Sequence, residues 1–291
     1  MWDEFFNYDY TNSEIAIANN FYYNVNGSTP DDYYIKYIED LKKNKDFDIN
    51  KIKYFKLKNC ANTNLEIVFP NLEYFNINGK GRFAINSKLD LQHISNIPDS
   101  LIKLNIPNCK FEKLPILSIN LLYLNCSKNK LTQLDNLPGR LELLICSYNQ
   151  LTQLDYLPDS IKRLDCSNND INKLDNLPTG LVELICCLNK IEYLDTLPAF
   201  LESLSCQYNL LECLPNLPKG LKKLYCSKNK LTCLTGIPDT VISINCSSND
   251  LSELTDLPSQ LIELVCNDNK FTHIDNLPPG LKIYRNYINK N

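Results

Sequence analysis

From Leu101 onward, apolar and polar positions recur every twenty residues without slippage. The consensus is LxxLxCSxNxLTxLDxLPxx. Its first position is Leu101, Leu121, Leu141, Ile161, Leu181, Leu201, Leu221, Val241, Leu261 and Leu281. The fourth is Leu104 and its equivalents through Leu264, ending in Tyr284. The sixth is Ile106, then cysteine eight times from Cys126 to Cys266, ending in Asn286. The ninth is Cys109, then Asn129 and every twentieth residue to Asn289. Weaker units begin at Ile52 and Leu72, the second stretched by the segment around "NGKGRFAINSK". This makes about twelve predicted strands.

Positions four and six lie on one side of an extended chain, which is strand periodicity. Twenty residues are too few for a strand, a multi-turn helix and two loops. The return leg, LTxLDxLP, is therefore short and extended, with a proline at position eighteen that favours polyproline II. One unit cannot bury its own apolar face. Stacked units share a continuous core, and stability becomes a nearest-neighbour property. The Asn at position nine can both donate and accept, so a buried column of Asn can satisfy the turns of successive units.

Residues 1–50 do not repeat and are expected to form an N-terminal cap. A helix is predicted over 30–44, with Thr29 as N-cap, Pro30 in the first turn and an apolar stripe of Tyr34, Ile35, Ile38 and Leu41. The array is expected to occupy 51–291.

The LxxLxCxxNxLxxLxxLPxx pattern resembles the leucine-rich repeat, in its short twenty-residue class with the LP signature. It is similar to the arrays of bacterial type-three secreted effectors. Its Cys-for-Leu exchange and Asn/Lys-rich texture resemble leucine-rich-repeat proteins of giant amoebal viruses. The resemblance implies a solenoid with a curved parallel sheet on its concave face. It also implies non-catalytic protein binding there.

The cysteine at position six reads as a small buried hydrophobe suited to a thin coil. A straight column of parallel thiols does not converge into a tetrahedral zinc site. Adjacent rungs also hold Cβ atoms wider apart than a disulfide prefers. Cys213 and Cys233, at position thirteen, are expected to be partly buried, and Cys187, at position seven, to be the most reactive thiol. Thirteen cysteines, an odd count, with no signal peptide in MWDEFFNYDY, fit a reducing intracellular compartment.

Outward positions on the strand and its rim are not uniformly polar. Leu143, Ile145 and Tyr148 are expected to point outward in one unit, and Ile185 and Leu188, with Cys187, in another. Tyr123, Tyr208, Leu210 and Tyr225 extend this zone, with Arg163, Asp165 and Asn168 between them. An apolar and aromatic patch with a central Arg suits a protein contact surface.

Net charge is −4, without the basic footprint of a nucleic-acid binder. Lysines at position ten (110, 130, 190, 230, 270) and aspartates at position fifteen (135, 155, 175, 195, 275) predict one basic rim and one acidic leg. Asp170 and Asp250 interrupt the lysine row. No apolar run is long enough to span a membrane. No catalytic triad, phosphate loop or zinc motif occurs, and only two histidines are present, His93 and His273. No catalytic, cofactor-binding or metal-binding residue is expected, so the chain reads as a monomeric, non-enzymatic scaffold for a protein partner. Two other readings are an adaptor that recruits machinery through residues 1–50 and a structural component of a particle.

Overall fold

A computed structural model describes residues 15–17, 49–58, 64–66, 69–78, 93–271 and 273–285. Packing divides the chain into two compact units, one through Leu131 and one from Thr132.

In the first unit, β1 (Ile15–Ile17), β2 (Tyr54–Lys58), β4 (Tyr74–Asn78), β6 (Lys103–Asn105) and β7 (Tyr123–Asn125) pair in parallel in that order. β3 (Asn64–Glu66) and β5 (His93–Ser95) form a second, two-stranded ladder. The core here is aromatic where later coils use leucine. Phe55 stacks on Phe75 at 5.8 Å and meets Phe69 at 4.6 Å. Strand β1 was not foreseen: Ile15–Ile17 pairs with Tyr54–Lys56, adding a rung before the first recognisable repeat. The helix predicted over 30–44 lies outside the described residues. Among those residues the helical structure is a single 3-10 turn, Ile49–Lys51.

The second unit stacks β8 (Leu143–Ile145), β9 (Arg163–Asp165), β11 (Glu183–Ile185), β13 (Ser203–Ser205), β14 (Lys223–Tyr225), β15 (Ser243–Asn245), β16 (Glu263–Val265) and β17 (Ile283–Arg285), again parallel and in chain order. Each register pairs residues twenty apart, as Leu184 with Leu204. On the return leg β10 (Lys173–Leu174) pairs with β12 (Tyr193–Leu194). The chain is thus a parallel-strand solenoid of twenty-residue coils, and each of the twelve expected units holds a strand.

The proline at position eighteen closes a turn. Its carbonyl accepts from the N–H of the next first-position residue, as Leu141 N to Pro138 O at 3.1 Å and Leu221 N to Pro218 O at 2.9 Å. That turn delivers each first-position Leu to the core, where it is fully buried from Leu141 to Leu261. Positions four, six and eleven bury beside it, so each coil of the second unit up to Phe271 fills its interior with two aliphatic residues, a Cys and a second-leg Leu, Ile or Phe.

The cysteine column is fully buried from Cys126 to Cys266. Backbone bonds of 2.8 Å, such as Cys166 N to Ile185 O and Cys186 N to Ser205 O, fix the spacing of adjacent rungs in the second unit. A larger side chain there has nowhere to expand. Cys166→Leu is therefore expected to destabilise the fold by about 1–3 kcal/mol, read as a lower urea midpoint. An unchanged or higher midpoint would show that the coil has spare volume.

Candidate functional site

Immediately after each strand the chain turns through one left-handed residue. Position eight has φ between 53° and 58° in nine coils: Asn108, Lys128, Tyr148, Asn168, Leu188, Tyr208, Lys228, Ser248 and Asp268. The turn continues the ladder. Leu188 N donates to Gln207 O at 2.9 Å and Tyr208 N to Ser227 O at 3.0 Å. It also aims the next residue, the position-nine Asn, inward.

The Asn column then satisfies the backbone as its chemistry allows. Asn209 Nδ2 donates to the carbonyls of Cys186 (3.0 Å) and Cys206 (3.1 Å), and its Oδ1 accepts from Ile191 N (3.0 Å). Asn169, Asn189, Asn229, Asn249 and Asn269 repeat the pair of donations. This is the ladder expected from sequence. It leaves the side chain of position eight pointing away from the core.

Left-handed backbone favours Asn, Asp and Gly, and a bulky side chain there is a genuine outlier. Three coils of the second unit nonetheless place bulky apolar groups at this position, and all are exposed: Tyr148 (51%), Leu188 (45%) and Tyr208 (51%). Leu210 (36%) adds to them two residues on. At the strand spacing, the row from Tyr148 to Tyr208 spans roughly 15 Å. Asn168 sits within it, and Lys228 stands at one end with its ammonium 5.9 Å from the Tyr208 ring centroid.

The strand face itself differs from expectation. Leu143 (2%) and Ile145 (7%) are buried rather than outward contact residues. Side chains on their strand face in a parallel sheet cover one another as well as the core. Ile185 and Tyr225 are half-buried, with the Tyr225 hydroxyl 3.3 Å from Ser243 Oγ. Arg163 lies 3.9 Å from Glu183, and Asp165 accepts from the Ser167 N–H and hydroxyl. Tyr123 belongs to the first unit, where the Lys103 ammonium lies 4.6 Å from its ring centroid. The predicted residues therefore divide. Tyr148, Leu188 and Tyr208 form one exposed row, while the strand residues largely satisfy themselves.

The charge rows also pair internally. Asp170 and Asp250 do more than interrupt the lysines: Lys190 reaches Asp170 at 2.6 Å and Lys270 reaches Asp250 at 2.8 Å. His273 is exposed, 3.7 Å from Asp275. It lines a cleft of about 650 Å³ with Ser252, Glu253, Asp256, Lys270 and Asp275. No group of three or more His, Cys, Asp or Glu suited to a metal occurs among the described residues. No described helix is long and apolar enough to cross a membrane.

Thiol accessibility reverses the sequence reading. Cys187 is only partly accessible, 2.7 Å from Gln207 Oε1, and burial pushes its thiol up to about 11. Among the described cysteines, Cys213 and Cys233, expected to be partly buried, are the exposed ones.

No protein-family model matches the chain, and no curated protein does either. Solved leucine-rich-repeat structures do resemble it. InlJ from Listeria monocytogenes, whose functional domain is described as including a cysteine ladder, superposes with a TM-score of 0.62 at 28% identity. That match covers 82% of this chain and 54% of InlJ. YopM from Yersinia enterocolitica gives 0.58 at 24% identity, over 82% of this chain and 64% of YopM. YopM from Yersinia pestis, described as a leucine-rich effector protein, gives 0.58 at 21%, over 89% and 95%. This chain has a leucine-rich-repeat fold. It spans only 64% and 54% of the Y. enterocolitica YopM and InlJ chains, respectively.

Proposed function

We propose that this chain is a non-catalytic protein-binding scaffold whose partner seats on the rim row Tyr148, Leu188, Tyr208 and Leu210. The observation that carries this reading is the conjunction of strain and exposure at position eight. Asn168 and Asp268 occupy the same backbone conformation with residues suited to it. Tyr and Leu there add strain and uncovered apolar surface, which packing of the coil does not require. Strained, exposed apolar groups at this position point to recognition. The leucine-rich-repeat neighbours support it, since that fold generally presents protein-interaction surfaces. The partner surface in this reading is apolar, with room for an acidic group near Lys228.

The test compares wild type with Tyr148→Asn/Leu188→Asn/Tyr208→Asn in affinity capture from source-cell or host lysate, with circular dichroism on both proteins. A protein retained by wild type and lost from the folded triple variant is expected. The same protein retained by both would remove the rim row from recognition.

A further inference from the structure

We propose that Cys213 and Cys233 form a reversible dithiol–disulfide pair that joins two adjacent coils of the second unit. Register carries the argument. On the return leg, the coils at 171 and 191 are tied by two backbone bonds, Lys190 N to Ile171 O (2.8 Å) and Glu192 N to Asn172 O (3.3 Å). Those bonds accompany the direct pairing of Lys173 with Tyr193, both exposed at position thirteen. The coils at 211 and 231 make the same two bonds, Lys230 N to Leu211 O (2.9 Å) and Thr232 N to Glu212 O (3.3 Å). The same pattern gives the same register, so Cys213 stands opposite Cys233. Both thiols are exposed.

Parallel neighbours stand about 4.8 Å apart, inside the Cα range of roughly 4.4–6.8 Å that disulfides span. Closing the sulfurs requires the Cβ atoms to approach by roughly 0.3–1 Å, from the strand spacing to the ~3.8–4.5 Å of a disulfide. The core cysteines cannot do this, because bonds of 2.8 Å pin their rungs and no solvent reaches them. Around Cys213 and Cys233 no strand forms, so ladder bonds do not pin this part of the leg as they pin the core rungs. The leg has the slack the core lacks.

The oxidant is a low-molecular-weight disulfide such as glutathione disulfide. One thiolate attacks it, forming a mixed disulfide and releasing one glutathione. The second cysteine, as thiolate, then attacks the protein sulfur of the mixed disulfide and releases the second glutathione. Two protein thiols are oxidised by two electrons, one disulfide is reduced, and the two protons leave on the two glutathione thiols.

The experiment equilibrates the full chain with a glutathione/glutathione disulfide buffer, blocks free thiols, digests with trypsin and maps the products by mass spectrometry. Wild-type monomer is expected to lose both exposed thiols together, yielding a linked Cys213–Cys233 peptide pair. Cys213→Ser and Cys233→Ser are each expected to stop at a glutathione adduct on the remaining cysteine, and Cys187→Ser to behave as wild type. Independent glutathione adducts on both residues of wild type, no oxidation of either, or a link found only between two molecules, would each overturn the proposal.

Discussion

Raising the pH from about 8 to about 10 is expected to unfold the second unit, even in the presence of reductant. The cause is the cysteine column. Burial, reinforced by neighbouring thiols, pushes Cys166, Cys186, Cys206, Cys226 and Cys246 well above the ordinary thiol range. Burial also pushes Cys266 up to about 12. In the unfolded chain each thiol ionises near its ordinary value of about 8.5. Below that value both states hold the proton and stability is independent of these groups. Above it the unfolded chain binds fewer protons than the native one, so stability falls as pH rises until the raised native values are reached. Each thiol contributes a slope of about 1 kcal/mol per pH unit. Six acting together exceed the roughly 5–15 kcal/mol that holds a domain folded within one to three units. Urea unfolding followed by circular dichroism at several pH values measures this directly. The double variant Cys206→Ala/Cys226→Ala should reduce the slope by about one third. A wild-type stability that stays flat through pH 10 would mean that the column is not buried.

Asn209→Ala is expected to destabilise the fold by roughly 1–3 kcal/mol. The substitution removes a side chain that is almost wholly buried. It leaves the Ile191 N–H without its acceptor and removes one donor each from the Cys186 and Cys206 carbonyls, which keep Asn189 and Asn229, and these groups belong to two successive coils. An unsatisfied buried polar group costs about 1–3 kcal/mol. Because stability in a solenoid is nearest-neighbour, the loss should fall on the contact between these coils and broaden the transition. The exposed control Glu212→Ala is expected to change stability by less than about 0.5 kcal/mol. A loss below about 1 kcal/mol for Asn209→Ala would show that water replaces the amide.

Most of this architecture is legible in the sequence because the repeat tests every position many times. Leu at positions one and four, Cys at six and Asn at nine each have one environment, and the structure places them there. What escaped is what the repeat does not average. Ile15–Ile17 forms a rung from a stretch without repeat spacing. The burial of Leu143 and Ile145 depends on which side chains flank them, and alternation alone cannot show that. The left-handed residue at position eight could have been found. Asn108, Asn168 and Asp268 recur there, and Asn136, Asn176, Gly236 and Asn276 mark a second such site at position sixteen. Tyr and Leu in the same column mask the signal, and those departures are the residues that now make up the rim row. The exposed thiols escape the repeat for a related reason. Position thirteen looks like a second inward column until the return leg turns it to solvent.

In the proposed reading, Leu188 is held in place for recognition and not for the fold. Its backbone φ is 54°, a conformation that adds roughly 1–2 kcal/mol of strain for an ordinary side chain and almost none for glycine. The measurement is the urea unfolding midpoint of Leu188→Asn and Leu188→Gly against wild type at pH 7. The account predicts that both variants are at least as stable as wild type, with relief of strain offsetting the apolar contact removed. A clear loss of stability in both would make Leu188 a structural residue and contradict the rim row as a binding surface.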